Sequence, residues 1–145
     1  MRTELNSLQF AFSADRYATE LTGINIVSAD DDSVVCCVDI IPSHLNAKGF
    51  VMGGVIFTLA DFAFAVAANR EDVLNATEPQ NAELHWVSTS STIHFLTTAK
   101  GEQLKAVCHC VRRGNTQCLY QTEVFDSFGR KVALVTTDGT KIIRK

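Results

Sequence analysis

The apolar positions of the chain follow two different periods. From Val51 to Asn69, "VMGGVIFTLADFAFAVAAN", they are almost continuous, and Asp61 is the one ionisable side chain in the run. A run this long exceeds an ordinary strand and predicts a helix over Gly53–Asn69, apolar around most of its circumference. After a polar connector, "REDVLNATEPQNAE", the pattern changes to β-branched and aromatic residues in runs bounded by turn formers. "HWVSTSSTIHFLTT", "GEQLKAVCHCVRRG", "NTQCLYQTEVFDSFG" and "RKVALVTTDGTKII" each read as a strand, with breaks at Gly114–Asn115 and at "DSFGR". Joined by short turns, the four predict an antiparallel meander. Upstream, "SADRYATELTG" predicts a short helix with Ser13 as N-cap and Gly23 as its stop. "INIVSADDDSVVCCVDII" predicts a hairpin about the acidic turn Asp30–Asp32, and "PSHLNAKGF" a polar loop. One long helix and about six strands make an α+β arrangement. A helix apolar nearly all round needs cover on more than one side, which a curved sheet and a second subunit would supply.

Composition narrows the function. The 145 residues, 46% hydrophobic and 20% charged, with no repeat and two prolines, fit a single globular domain spanning residues 1–145. Net charge is −3, and the adjacent basic pairs, Arg112–Arg113, Arg130–Lys131 and Arg144–Lys145, are scattered and form no basic stripe, so no nucleic-acid partner is expected. The first residues lack the apolar core and cleavage site of a secretory signal, and Asp61 interrupts a helix too short for a membrane span. A soluble, cytoplasmic protein is the expectation. The five cysteines then read as reduced thiols. In "CHC", Cys108 and Cys110 fall on one strand face and His109 on the other, and Cys36 and Cys37 are likewise split. No convergent ligand spacing is present, so neither a metal nor another cofactor is expected.

The chemistry centres on the long helix. An ionised carboxylate among Leu59, Ala60, Phe62, Ala63 and Phe64 is costly unless solvated or partnered. A retained acid in that setting is a candidate general base or nucleophile. Gly53 and Gly54 open the helix, where backbone N–H groups have no intrahelical acceptor and can hold a developing oxyanion. Eight residues separate Gly53 from Asp61, roughly 12 Å along a helix. One chain therefore cannot easily bring both to one reacting carbonyl. Two antiparallel copies about a twofold axis can, which makes a homodimer with shared sites the expectation.

"HLNAKGFVMGGVIFTLADFAFAVAAN" resembles the signature of hotdog-fold thioesterases of the phenylacetic-acid-degradation (PaaI) type. That pattern is Asn, Gly three residues on, His-Gly-Gly, then Leu-Ala-Asp in the central helix. Here it reads Asn46, Gly49, Met52-Gly53-Gly54 and Leu59-Ala60-Asp61. With the later "STSSTIHFLTTAKGEQLKA" and "RRGNTQCLYQTEVFDSFGRKVALVTT", the resemblance covers Ile40 to Thr137. It implies a curved antiparallel sheet around one helix, a dimer often assembled to a tetramer, and hydrolysis of acyl-CoA thioesters without metal or redox cofactor. Carried over, Asp61 is the base or nucleophile, Gly53 N–H with Gly54 polarises the carbonyl, and Asn46 positions the carbonyl or the water. Ser88, with Thr89 next, matches the hydroxyl that orients the water. The departure is Met52, which stands where the family has His and can neither titrate nor donate a hydrogen bond.

The remaining candidates are weaker. Arg113, Asn115 and Lys100 sit near turns within reach of CoA phosphates. His44, His85, His94 and His109 form no triad spacing and read as structural. Phe57, Phe62 and Phe64 read as core, one of them a possible acyl-pocket wall. The expected activity is hydrolysis of an aryl- or medium-chain acyl-CoA. The alternatives are a non-catalytic acyl-CoA binding or sensor module on the same fold and a hotdog dehydratase, which needs a His that the helix region lacks.

Overall fold

The computed structural model describes residues 2–143. Its elements run α1 (Arg2–Phe12), a π-helical turn (Tyr17–Thr22), β1 (Ile24–Ala29), β2 (Val34–Asp39), α2 (Gly53–Leu74), β3 (Trp86–Phe95), β4 (Gln103–Arg113), β5 (Gln117–Phe125) and β6 (Lys131–Lys141). The six strands form one antiparallel sheet in the order β1-β2-β4-β5-β6-β3.

Two expectations need correction. The last four strands are not a simple meander, because β3 pairs with β6 at the far edge while β4 pairs with β2. Alternation identifies a strand, but its neighbours are fixed by packing on the helix. Nor does Ser13 cap a helix that follows it. Its Oγ donates back to Phe10 O at 2.6 Å, at the end of α1, and only a π-helical turn comes next. Gly23 does end that turn, with φ of 90° and its N–H on Ala18 O. The acidic hairpin turn is also present, Asp30 Oδ1 accepting from the N–H groups of Asp32 and Ser33.

Helix α2 touches every strand. Six strands about 4.8 Å apart span about twice a helix diameter, so the sheet must curve around α2 to do this. Ile56, Leu59, Ala60, Phe62, Ala63, Phe64 and Val66 are all buried. Phe64 meets Tyr120 of β5 edge-on, and Phe62 meets Phe12 of α1 the same way. Cys36, Cys108 and Cys118 join this core, whereas Cys110, beside a bulge between residues 110 and 112, is exposed.

One side of α2 stays uncovered. Gly54, Phe57, Thr58, Asp61 and Ala65 lie at helical spacing along one stripe, and each is partly or fully accessible. Strand β3 borders that side. At one end Asn69 of α2 is bonded to the backbone of Trp86, and at the other the Phe95 ring rests against Gly53. Beyond Trp86 the strand is an exposed edge with a bulge between Ser88 and Ser90. An open edge next to an apolar stripe is the surface a second subunit would cover.

Candidate active site

The loop that delivers the start of α2 is held by Asn46. Its Oδ1 accepts from Lys48 N at 2.9 Å and Phe50 N at 3.1 Å, and its backbone N–H donates to Phe50 O. Gly49, with φ of +83°, makes the turn. With Oδ1 committed to the loop, Asn46 can meet a substrate only as a donor, through Nδ2.

Met52 occupies the N-cap of α2 without a side-chain cap bond, and its side chain is half-exposed. Its own N–H donates to His44 O, and its carbonyl accepts from Val55 N and Ile56 N. The N–H groups of Gly53 and Gly54 donate to no described residue. They are free donors at the positive end of a 22-residue helix. His44, by contrast, is buried and structural: Nδ1 accepts from Ile41 N and Nε2 faces Thr22 O at 2.9 Å, a pattern that sets the Nε2–H tautomer.

Asp61 lies on the open stripe, half-buried, with no hydrogen bond or ion pair among the described residues. Burial raises its pKa, and repulsion from Asp15, in the link after α1, raises it further. Asp15 is itself pushed up by burial. No sequence pattern pointed to Asp15, because the reading of its segment as a short helix does not say which side chains that segment will face. Gly53 and Asp61 share one chain's open stripe but stay about 12 Å apart along it.

The remaining candidates separate. Ser88 and Thr89 lie within three residues of Trp86, beside the far half of α2; Ser88 Oγ has no hydrogen bond among the described residues and Thr89 Oγ1 donates to Asp138 O. Arg113 is anchored inside the chain, its Nη1 donating to Ala68 O and Tyr120 OH, both at 2.9 Å, and its guanidinium stacked on Trp86. That puts it at the opposite end of α2 from Gly53 within one chain. Asn115 is exposed in the β4–β5 turn. Lys100 contributes its N–H to buried Asp126. Phe62 and Phe64 are core, while Phe57 is on the open stripe.

A groove that the sequence did not disclose opens beside Gly53, with Phe50, Val51, Ile56, Phe95 and Leu96 as its apolar walls. No group of three or more His, Cys, Asp or Glu residues converges among the described residues. Among the described residues, no helix is long and apolar enough to cross a membrane.

The thioesterase superfamily model matches residues 48–133, from the Asn46 loop through most of the sheet. A putative esterase of Deinococcus radiodurans is 33% identical over 105 residues, 72% of this chain and 64% of that protein. The match to a putative esterase of Archaeoglobus fulgidus spans 53% of that relative, so these matches leave a third to a half of each esterase uncovered. The Escherichia coli acyl-coenzyme A thioesterase PaaI is 30% identical over 113 residues, covering 77% of this chain and 73% of that protein. The solved E. coli PaaI structure superposes with a TM-score of 0.78, covering 96% of both chains at 24% identity. A hypothetical thioesterase of Streptococcus pneumoniae, solved with coenzyme A, gives 0.77 over 93% of this chain and 99% of that one, at 22% identity. The architecture is therefore the hotdog fold, and with an acid on the open face of its helix and two free N–H groups at the helix start, the chain belongs to the thioesterase superfamily.

Proposed function

We propose that the chain is an acyl-CoA thioesterase, one hotdog domain over residues 1–145, acting as a homodimer that pairs further into a tetramer. The observation that carries the reading is the pairing of an unpartnered carboxylate, Asp61, with the free N–H groups of Gly53 and Gly54 on one uncovered helix face. In the antiparallel dimer the helix start of one subunit faces Asp61 of the other. The thioester carbonyl accepts from Gly53 N–H, supported by Gly54 N–H and Asn46 Nδ2. Asp61 takes a proton from water as that water attacks, and Ser88 with Thr89 orients the water. The tetrahedral oxyanion forms against the helix start. Its collapse expels the CoA thiolate, which takes up the proton and leaves a carboxylic acid. A carboxylate whose pKa is raised by burial is a stronger base than an exposed one, which suits this role.

The substrate class is an aryl- or medium-chain acyl-CoA. The cationic guanidinium of Arg113 keeps Nε and Nη2 for a CoA phosphate, and Asn115 adds a donor at the same turn. The five free cysteines fit a reducing, cytoplasmic setting. The test is thiol release from a panel of aryl- and alkyl-CoA thioesters by wild type and Asp61→Ala. The reading expects turnover of one class and a loss of at least ~100-fold in a folded Asp61→Ala protein. Tight binding of these thioesters without thiol release from any would replace it with the non-catalytic binding module.

A further inference from the structure

The groove beside Gly53 holds about 490 Å³ and no ionisable side chain lines it. Three of its walls, Phe50, Phe95 and Leu96, are large apolar side chains 45%, 54% and 53% exposed, a concentration that no part of the fold's own core uses. The groove is continuous with the helix start, because Gly53 belongs to its lining. A β-carbon added at Gly53 would stand 2.9 Å from Phe95 Cζ and 3.2 Å from its Cε1. Only a glycine lets the ring sit this close to the first free N–H of α2.

The wall that carries Phe95 is fixed. Leu96 N–H donates to Val132 O at 2.8 Å, and Arg130 Nη2 donates to Thr98 O at 2.7 Å. Arg130, the cation bonded to this rim, is already neutralised by buried Asp126, its Nε lying 2.9 Å from Oδ2. Asp126 also accepts from the Lys100 N–H. A carboxylate placed in the groove would find no cation among the lining residues and would lose its water. An uncharged chain would cover the exposed rings of Phe50 and Phe95 instead.

We propose that this groove receives the acyl substituent of the thioester and that Phe95 is its specificity-determining residue, selecting uncharged apolar acyl groups against those ending in a carboxylate. The inference rests on the acyl-CoA reading above and adds the residue and the charge rule. The carbonyl oxygen sits at the Gly53 N–H, and the acyl chain runs from the carbonyl along the Phe95 ring.

Binding, measured without turnover, separates this inference from the catalytic one. The probes are hydrolysis-resistant ketone analogues of hexanoyl-CoA and glutaryl-CoA, titrated calorimetrically into wild type, Phe95→Leu and Phe95→Arg. Phe95 is more than half exposed, so both variants are expected to fold, which circular dichroism checks. Wild type is expected to bind the hexanoyl analogue at least ~10-fold more tightly than the glutaryl one. Phe95→Leu should keep that preference, and Phe95→Arg should narrow it at least ~10-fold by supplying the missing cation. Equal affinities in wild type, or an unchanged ratio in Phe95→Arg, would overturn the inference whether or not the protein releases thiol. Discrimination without any thiol release would support it while failing the catalytic reading.

Discussion

Asn69 is the side chain that seats the edge strand on the central helix, and its removal has a size that can be worked out. The residue is 3% exposed. Its Nδ2 donates to Ala65 O and Trp86 O, both at 3.0 Å, and its Oδ1 accepts from Trp86 N at 2.9 Å. The amide thus stands in for a strand neighbour, satisfying both backbone groups of Trp86 at the start of β3. In Asn69→Ala the Ala65 carbonyl keeps its helical partner, but Trp86 loses a donor and an acceptor contact in a dry site. Each orphaned group costs about 1–3 kcal/mol, giving roughly 4 kcal/mol in all. For a chain of this size that corresponds to a fall in Tm of about 12–16 °C, read at one protein concentration because assembly also shifts Tm. Asn69→Asp supplies the control: it keeps the acceptor but sets a carboxylate against two carbonyls, so its deficit should shrink in acid, where a protonated Asp donates again. Urea titration of all three proteins gives the free energies directly. A loss below about 1 kcal/mol in Asn69→Ala would refute the reasoning, since β3 would then be seated by its ladder to β6 alone.

Four further outcomes can be checked with the same methods. Gly139→Ala places a β-carbon 2.8 Å from Cys118 Sγ and Phe64 Cζ and 2.9 Å from Val87 O, so it should cost about 2–3 kcal/mol by overpacking. Gly54→Ala meets nothing within 4 Å and should be neutral or stabilising by up to about 1 kcal/mol. Asp126 is pushed up by burial but held below the usual carboxylate range by hydrogen bonds from Lys100, Arg130 and Phe128. Its stabilising contribution is therefore complete above an unfolded pKa of about 3.9 and is lost as pH falls through the lower folded value, so the deficit of Asp126→Asn should be largest at neutral pH and close in acid. Asp61 has the opposite sign, because its folded pKa is raised. Asp61→Asn should be more stable than wild type at pH 7, with the two converging below about pH 3.9, where the acid is protonated in both states. An Asp61→Asn protein less stable than wild type at pH 7 would mean that the carboxylate has a partner.

Much of this was legible in the residues, and the misses have physical causes. The start of α2 at Gly53 and the lone acid on it could be read directly, because a continuous apolar run with one carboxylate has few other uses. Its end could not: Asn69 resembles a terminator, yet it is a buried clip, and the helix runs on to Leu74 through Arg70, which pairs with Asp31. Helix α1 was not among the expected elements although Leu5, Leu8 and Phe12 recur at helical spacing, because a spacing carried by three positions in a short polar stretch is too sparse to mark a helix. The placement of β3 beside β6 is invisible to any period-2 pattern, since both faces of either edge read alike. At the site, the motif located Asn46, Gly53 and Asp61. It could not show that Asn46 Oδ1 is spent on its own loop, that Phe95 stands at the Gly53 end of the open stripe, or that Asp15 is near enough to Asp61 to repel it. Those facts depend on which segments fold back onto α2.

The central claim is that one active site draws its acid from one subunit and its oxyanion donors from the other, and subunit mixing tests it most directly. Asp61→Ala removes the acid. Gly53→Pro removes the N–H donor at a first helical position that tolerates proline, after Met52 with ψ of 140°, although its ring must displace Phe95. Each protein alone should release almost no thiol from the best substrate. In dimers formed by refolding the two together, every mixed pair carries both lesions in one site and none in the other, so activity should return to about a quarter of wild type. Two inactive parents whose mixed dimers stay inactive would contradict the shared site and place acid and donors within a single chain.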